Sequence, residues 1–297
     1  MPTATRTPLL TSDFMARLDR FDLLSRKMLA GKMKGERRSK RRGQSVEFAD
    51  YRNYVPGDDL RFIDWNIYAR LDKLFLKMFL EEEDLALYIL IDTSKSSDFG
   101  TPNKLDYMKR VAASLGYVGL VNYNRVSITA MSDSVTADTG GMRGRRRVAG
   151  MLEFIDKLEP TGPSNFAAAC KRFALTHRNK GVLVVLSDFF DKTGFENGLR
   201  FISGSKYDMF AVQILSPQEI EPEFTGDLKL KDVEDGDFAE VSITRPLIEK
   251  YKNNLNGYCL SLKDYVTRRG GQYLFSSTSV PFETLVLNYL RERRLLG

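Results

Sequence analysis

The chain has 297 residues, 42% hydrophobic and 28% charged, with a formal net charge of +6. That length and balance allow one large domain or two modest ones around a proper core. Nothing approaches the roughly 18 uninterrupted apolar residues that span a bilayer, and a Cys/His zinc site is excluded by ligand count, since only Cys170, Cys259 and His177 are available.

The N-terminus lacks the charged-then-apolar pattern of a secretion signal, so a cytoplasmic location is expected. Residues 1–12 are polar and hold two prolines. Phe14, Leu18, Phe21, Leu24, Met28 and Leu29 recur at helical spacing and predict an amphipathic helix over 13–34. Residues 26–43 carry nine lysines and arginines against Glu36. A second basic cluster is Arg143, Arg145, Arg146 and Arg147. Such runs suit a solvated surface, or binding of nucleic acid or an acidic partner; the lack of interleaved aromatics weakens the single-strand case. Residues 35–60, rich in Gly, Arg, Ser and Asp, read as irregular.

From residue 81 strands and helices alternate. The run Leu85–Ile91 is wholly apolar, as in a strand covered on both faces. Thr101-Pro102 predicts a helix start, and Leu105, Met108, Val111, Ala112, Leu115 and Val118 follow at helical spacing. Val126–Met131 is a second strand, with Val135–Ala137 as a short neighbour. Val148–Leu158 is a helix stopped by Pro160, and Phe166–His177 is another, with His177 expected at a surface helix end. Val182–Leu186 is a third strand, Phe195–Ile202 a helix and Met209–Leu215 a fourth strand. Such an order predicts an α/β fold with a doubly wound, mainly parallel sheet, and ligands at the carboxyl ends of its strands. Further on, Leu228–Asp232 and Phe238–Ile243 predict a hairpin across Asp235-Gly236. A helix over about 245–269, a short strand at Tyr273–Phe275 and a helix at 281–295 close the chain. The domains expected are 1–80, a basic N-terminal extension; 81–217, the α/β core; and 218–297, a smaller C-terminal β/α addition.

The first core strand ends in Asp92-Thr93-Ser94-Lys95-Ser96. A tight loop with alternating Asp, Ser and Ser turns three oxygens toward one point, as a hard cation such as Mg²⁺ requires. Val182–Leu186 ends in Ser187-Asp188, which places Asp188 at the same sheet edge as Asp92. Between them in sequence, Thr161-Gly162-Pro163-Ser164-Asn165 forms a turn from which Ser164 offers another hydroxyl. The bland alternative is that Asp92 and Asp188 merely cap the elements after their strands.

Residues 81–217 thus resemble a von Willebrand factor A domain, a Rossmann-type fold, with a metal-ion-dependent adhesion site. The resemblance implies Mg²⁺ (or Mn²⁺) held by Asp92, Ser94, Ser96, Ser164 and Asp188, with Ser164 where the family usually has threonine. Upstream, Glu47–Trp65, with its Tyr51-Arg52-Asn53-Tyr54-Val55-Pro56-Gly57-Asp58-Asp59 core, is similar to the signature of the domain-of-unknown-function family 58. That resemblance covers roughly residues 25 to 290. It implies a chaperone-like or assembly role with an AAA+ ATPase of the MoxR type. In physical terms Pro56-Gly57-Asp58-Asp59 is a strong turn. Arg52, Arg61, Asp59 and Asp64 are expected to form an ion network, and Trp65 to anchor the segment against the core.

The function expected is non-enzymatic: a metal-bound vertex accepts an acidic side chain of the ATPase or of its protein client. The alternatives are a Mg²⁺-dependent phosphatase or nuclease, for which there is no P-loop or usable histidine base, and nucleic-acid binding through residues 26–43.

Overall fold

The computed structural model describes residues 8–23, 47–80, 86–204, 206–223, 226–231, 238–292 and 295–296. The chain divides into two compact units, residues 31–84 and the remainder.

A short helix, α1 (Ser12–Leu18), opens the described chain; the Thr11 hydroxyl caps it by accepting from Phe14 N. The helix stops short of the expected 13–34, of which residues 24–34 lie outside the described residues. It ends at Asp19, and Leu23 bridges to Leu296 in extended form. The basic run 26–43 lies outside the described residues.

Within unit 31–84, β1 (Glu47–Asn53) pairs antiparallel with β2 (Phe75–Leu80), with a register shift between Phe48 and Asp50. Residues 47–53, expected to be irregular, are therefore a strand. Between the strands lie a single 3-10 turn, Leu60–Phe62, and helix α2 (Trp65–Leu71), capped by the Asp64 carboxylate on Asn66 N and Ile67 N. Within the expected ion network, Arg52 binds Asp58, Arg61 binds Asp59, and Lys77 binds Asp64, which also accepts from the Tyr51 hydroxyl. Trp65 is 60% exposed, its ring edge-on to Tyr68, and among the described residues of this unit Ile63, Asp64 and Leu76 are buried.

The other unit is built on a six-stranded sheet in the order β10-β7-β6-β3-β4-β5. Its strands are β3 (Ala86–Asp92), β4 (Arg125–Met131), β5 (Val135–Asp138), β6 (Gly181–Ser187), β7 (Tyr207–Leu215) and β10 (Gln272–Ser277). All pairs are parallel except β4–β5, where the short edge strand runs antiparallel. Every residue of β3, β6 and β7 is buried, which explains their unbroken apolar runs.

Helices cover both faces. Helix α3 (Lys104–Val121) packs Met108, Val111, Ala112 and Leu115 on one side with α4 (Val148–Asp156) beside it, and α1 and the C-terminal helical turns join the same cluster. On the other side lie α5 (Phe166–Thr176), α6 (Glu196–Ile202) and part of α8 (Arg245–Arg268), through Leu262 and Val266. Helix α3 begins two residues later than Thr101-Pro102 suggests, because Asn103 is its cap and accepts from Asp106 N. A four-residue helix, α7 (Pro217–Ile220), follows β7, and β8 (Gly226–Lys231) pairs antiparallel with β9 (Phe238–Ile243); the expected turn at Asp235-Gly236 lies outside the described residues. The closing helix is broken into α9 (Phe282–Thr284), a π-helical segment Leu285–Tyr289 and α10 (Leu290–Glu292).

His177 sits at the predicted helix end but is not a surface residue. Its side chain is 12% exposed, stacks on Phe173 and lies 3.1 Å from the Ser127 hydroxyl and 3.3 Å from Asp138. Asp138 also accepts from Thr129, so this group pins β5 to β4 at the sheet edge.

Candidate metal centre

Asp92 ends β3 and Ser187 ends the neighbouring β6, so parallel register brings them together, with Asp188 one step beyond. The Ser187 hydroxyl donates to Asp92 Oδ2 at 2.6 Å. After Asp92 the chain turns at once through a 3-10 turn, Lys95–Ser97. There Asp92 Oδ1 accepts from Ser94 N at 3.0 Å and Ser94 Oγ at 2.7 Å, and Ser94 Oγ lies 3.0 Å from Ser96 Oγ. Asp92, Ser94 and Ser96 thus form one chain of oxygens.

The loop carrying Ser164 docks on this turn through its backbone. Thr161 N donates to Thr93 O at 2.7 Å, and Lys95 N donates to Gly162 O at 3.1 Å. Ser164 itself donates to Asp191 Oδ2 at 3.3 Å. Asp191 also accepts from Phe166 N and from the Thr193 amide and hydroxyl, so it clamps the start of α5. Three loops therefore converge at the carboxyl edge of the sheet. Asp92, Ser94 and Ser96 bond directly, Asp188 stands close enough for its charge to act on Asp92, and Ser164 is turned to Asp191.

The chain turns sharply after Asp188. Phe189 adopts a φ of +62°, a left-handed conformation that costs a bulky residue on the order of 1–2 kcal/mol. It is held by its own amide on Ser187 Oγ at 2.8 Å and by the Tyr258 hydroxyl on its carbonyl. The turn allows Asp188 Oδ1 to accept from Phe190 N at 2.9 Å. The buried amide of Gln213 donates to Asp188 O at 2.9 Å and braces the same corner from β7.

Burial, and then the nearby charge of Asp188, push the Asp92 carboxyl up to about 6. The hydroxyls of Ser187 and Ser94 pull in the other direction but do not restore the ordinary value. Two adjacent carboxylates, of which Asp92 forms no ion pair among the described residues, beside hydroxyls within hydrogen-bond reach of each other, suit a hard divalent cation. Among the described residues no group of three or more His, Cys, Asp or Glu gathers around a possible metal position. Asp188 Oδ2 accepts from Lys104 Nζ at 2.6 Å, while its Oδ1 accepts from Phe190 N.

Lys104, Ser187 and Asp191 were not visible as site residues in the sequence. Ser187 adjoins Asp188 at a strand end, a signal that was available. Lys104 carries none, because its partners Asp188 and Glu219 lie 84 and 115 residues away.

A mainly parallel sheet with one antiparallel edge strand, helices on both faces and a polar centre at the carboxyl ends of β3 and β6 defines a von Willebrand factor A-like α/β protein. The chain belongs to the family described as "Protein of unknown function DUF58", whose model matches residues 50–256. It is 27% identical over 242 residues to uncharacterised proteins of Mycobacterium bovis and Mycobacterium tuberculosis, covering 80% of this chain and 76% of theirs. Among solved structures it is similar to the conserved hypothetical protein BatB of Bacteroides thetaiotaomicron, at 12% identity and a TM-score of 0.44, covering 70% of this chain and 98% of that one. It is also similar to an aerotolerance-related membrane protein of Bacteroides fragilis, at 13% identity and a TM-score of 0.43, covering 70% and 99%. Among the described residues, no helix is long and apolar enough to cross a membrane.

Proposed function

We propose that this protein is a non-enzymatic, metal-dependent interaction adaptor. Asp92, Ser94 and Ser96 hold Mg²⁺ (or Mn²⁺), Ser164 and Asp188 complete the site, and the ion's remaining vertex accepts an Asp or Glu carboxylate from another protein. The observation that carries this reading is the joined oxygen set Asp92–Ser94–Ser96, set beside a second buried carboxylate at the convergence of three loops.

Neutral hydroxyls leave a bound cation electrophilic, so it attracts an anionic ligand, whereas a ring of carboxylates would quench it. The ion supplies that attraction when bound. The protein's own residues do the rest: Ser187 orients Asp92, Asp191 fixes the turn that bears Ser164, and Phe190 N orients Asp188. The partner proposed is an AAA+ ATPase of the MoxR type or the protein it remodels, in a cytoplasmic setting, with assembly or maturation of a protein complex as the outcome.

The test is capture of purified MoxR-type ATPase by the wild type, Asp92→Ala and Ser94→Ala, each in Mg²⁺ and in chelator. Capture by the wild type in Mg²⁺ alone is expected. Equal capture under all conditions contradicts a metal-bridged contact.

A further inference from the structure

Lys104 is the most deeply buried charged residue among the described residues of this unit, with 1% of its surface exposed. It begins α3, on a different element from any site loop. Its ammonium lies 2.6 Å from Asp188 Oδ2 and 2.6 Å from Glu219 Oε1, with the Phe99 ring 5.9 Å away. Burial alone would lower its pKa, but the two carboxylates more than offset this and hold the ammonium charged.

The lysine is fixed from its far side. Glu219 Oε2 accepts from Ser216 N and Ser216 Oγ, which closes a capping box on α7. The Tyr251 hydroxyl donates to Glu219 O at 2.7 Å, and Gln218 exchanges hydrogen bonds with the backbone of Thr101. The charge therefore cannot swing into solvent without dismantling that corner. Asp92, one strand away, is held by hydroxyls and an amide and forms no ion pair among the described residues. One carboxylate of the centre has a built-in cation and the other does not.

We propose that the Lys104 ammonium, clamped between Asp188 and Glu219, is the centre's resident counter-cation: it keeps Asp188 out of direct ligation and weakens divalent-ion binding at Asp92 and the serines. This rests on the metal reading above. Like charges that share a buried corner repel strongly, so the lysine makes the ion exchangeable. Asp188 then acts on the ion through water. Glu219 moderates the effect by sharing the ammonium.

The two carboxylate partners give the inference opposite-signed consequences. Removing the positive charge relieves repulsion and frees Asp188 Oδ2 for the ion. Removing Glu219's charge leaves the ammonium to Asp188 alone and strengthens the competition. A purely structural role moves both variants the same way or neither.

Mn²⁺ is titrated into metal-free wild type, Lys104→Met, Lys104→Arg, Glu219→Gln and Asp92→Ala, with free Mn²⁺ read by electron paramagnetic resonance and folding by near-ultraviolet circular dichroism. Lys104→Met is expected to bind at least about tenfold more tightly than wild type. Lys104→Arg, which keeps the charge, should stay near the wild-type value, and Glu219→Gln should bind several-fold more weakly. A folded Lys104→Met that binds no tighter overturns the inference while leaving the metal reading intact. Where Lys104→Met does not fold, Glu219→Gln decides: unchanged or tighter binding overturns it. If the wild type binds no better than Asp92→Ala, the metal reading falls and this inference with it.

Discussion

At the scale of single residues, Asp92 carries the sharpest consequence. Its carboxyl is raised from 3.8 to about 6 by burial and by Asp188, which corresponds to roughly 3 kcal/mol. The folded protein holds this proton more tightly than the unfolded chain. The associated stability is therefore fully present below pH 3.8 and is lost as pH rises through about 6. In chelator, the urea midpoint of the wild type should fall between pH 4.5 and 7 by more than that of Asp92→Asn, which has no proton to lose. Saturating Mg²⁺ should abolish the difference, because the ion replaces the proton as the compensating charge. Parallel pH profiles for the two proteins in chelator would show that Asp92 is not the strained group.

At the scale of elements, the site depends on how closely β6 lies along β3. Gly181 opens β6, and a Cβ placed there would meet Ala86 O at 2.1 Å. Backbone cannot yield as a side-chain tip can, so Gly181→Ala should cost about 3 kcal/mol or more in chemical denaturation. A loss under about 1 kcal/mol would mean the strand pair is looser than it looks.

The elements also show what a sequence exposes and what it hides. Strands buried on both faces advertise themselves as unbroken apolar runs, and β3, β6 and β7 were legible for that reason. The D-x-S-x-S turn was legible because its three oxygens lie within five residues. Strand β1 was hidden because glycine, charge and turn residues dominate its surroundings and a register shift interrupts its pairing. The long amphipathic pattern after Phe14 overstated α1, because Asp19 is drawn off by the Tyr117 hydroxyl and Arg145 where the helix stops. The partnership of Lys104 with Asp188 and Glu219 arises only when α3, β6 and α7 meet. Local spacing carries no trace of it, nor of the Ser127–His177–Asp138 group that made His177 an interior residue.

At the scale of the whole molecule, both ends of the described chain close over one side of the sheet. Phe14 meets Phe282 edge-on at 5.3 Å, Leu23 bridges to Leu296, and Asn122 Nδ2 donates to Phe21 O at 2.7 Å. Phe14, Leu18 and Leu23 are all buried in the cluster that includes α3. Removing residues 1–23 uncovers that cluster, and the loss of the four buried side chains Leu10, Phe14, Leu18 and Leu23 should lower the thermal midpoint by on the order of 10 °C. An unchanged midpoint would mean that the N-terminal segment is a passive cover.

The centre lies at the carboxyl edge of the sheet, where the fold concentrates strand ends and their loops. The protein's proposed role requires that those loops hold an ion. The direct test is a crystal grown with Mn²⁺, with anomalous scattering collected at the manganese edge. The account predicts one strong peak within coordination distance of the Ser94 and Ser96 hydroxyls, with Asp92 in the same shell, and its absence in Asp92→Ala. No peak at saturating Mn²⁺, or a peak away from these hydroxyls, would contradict it.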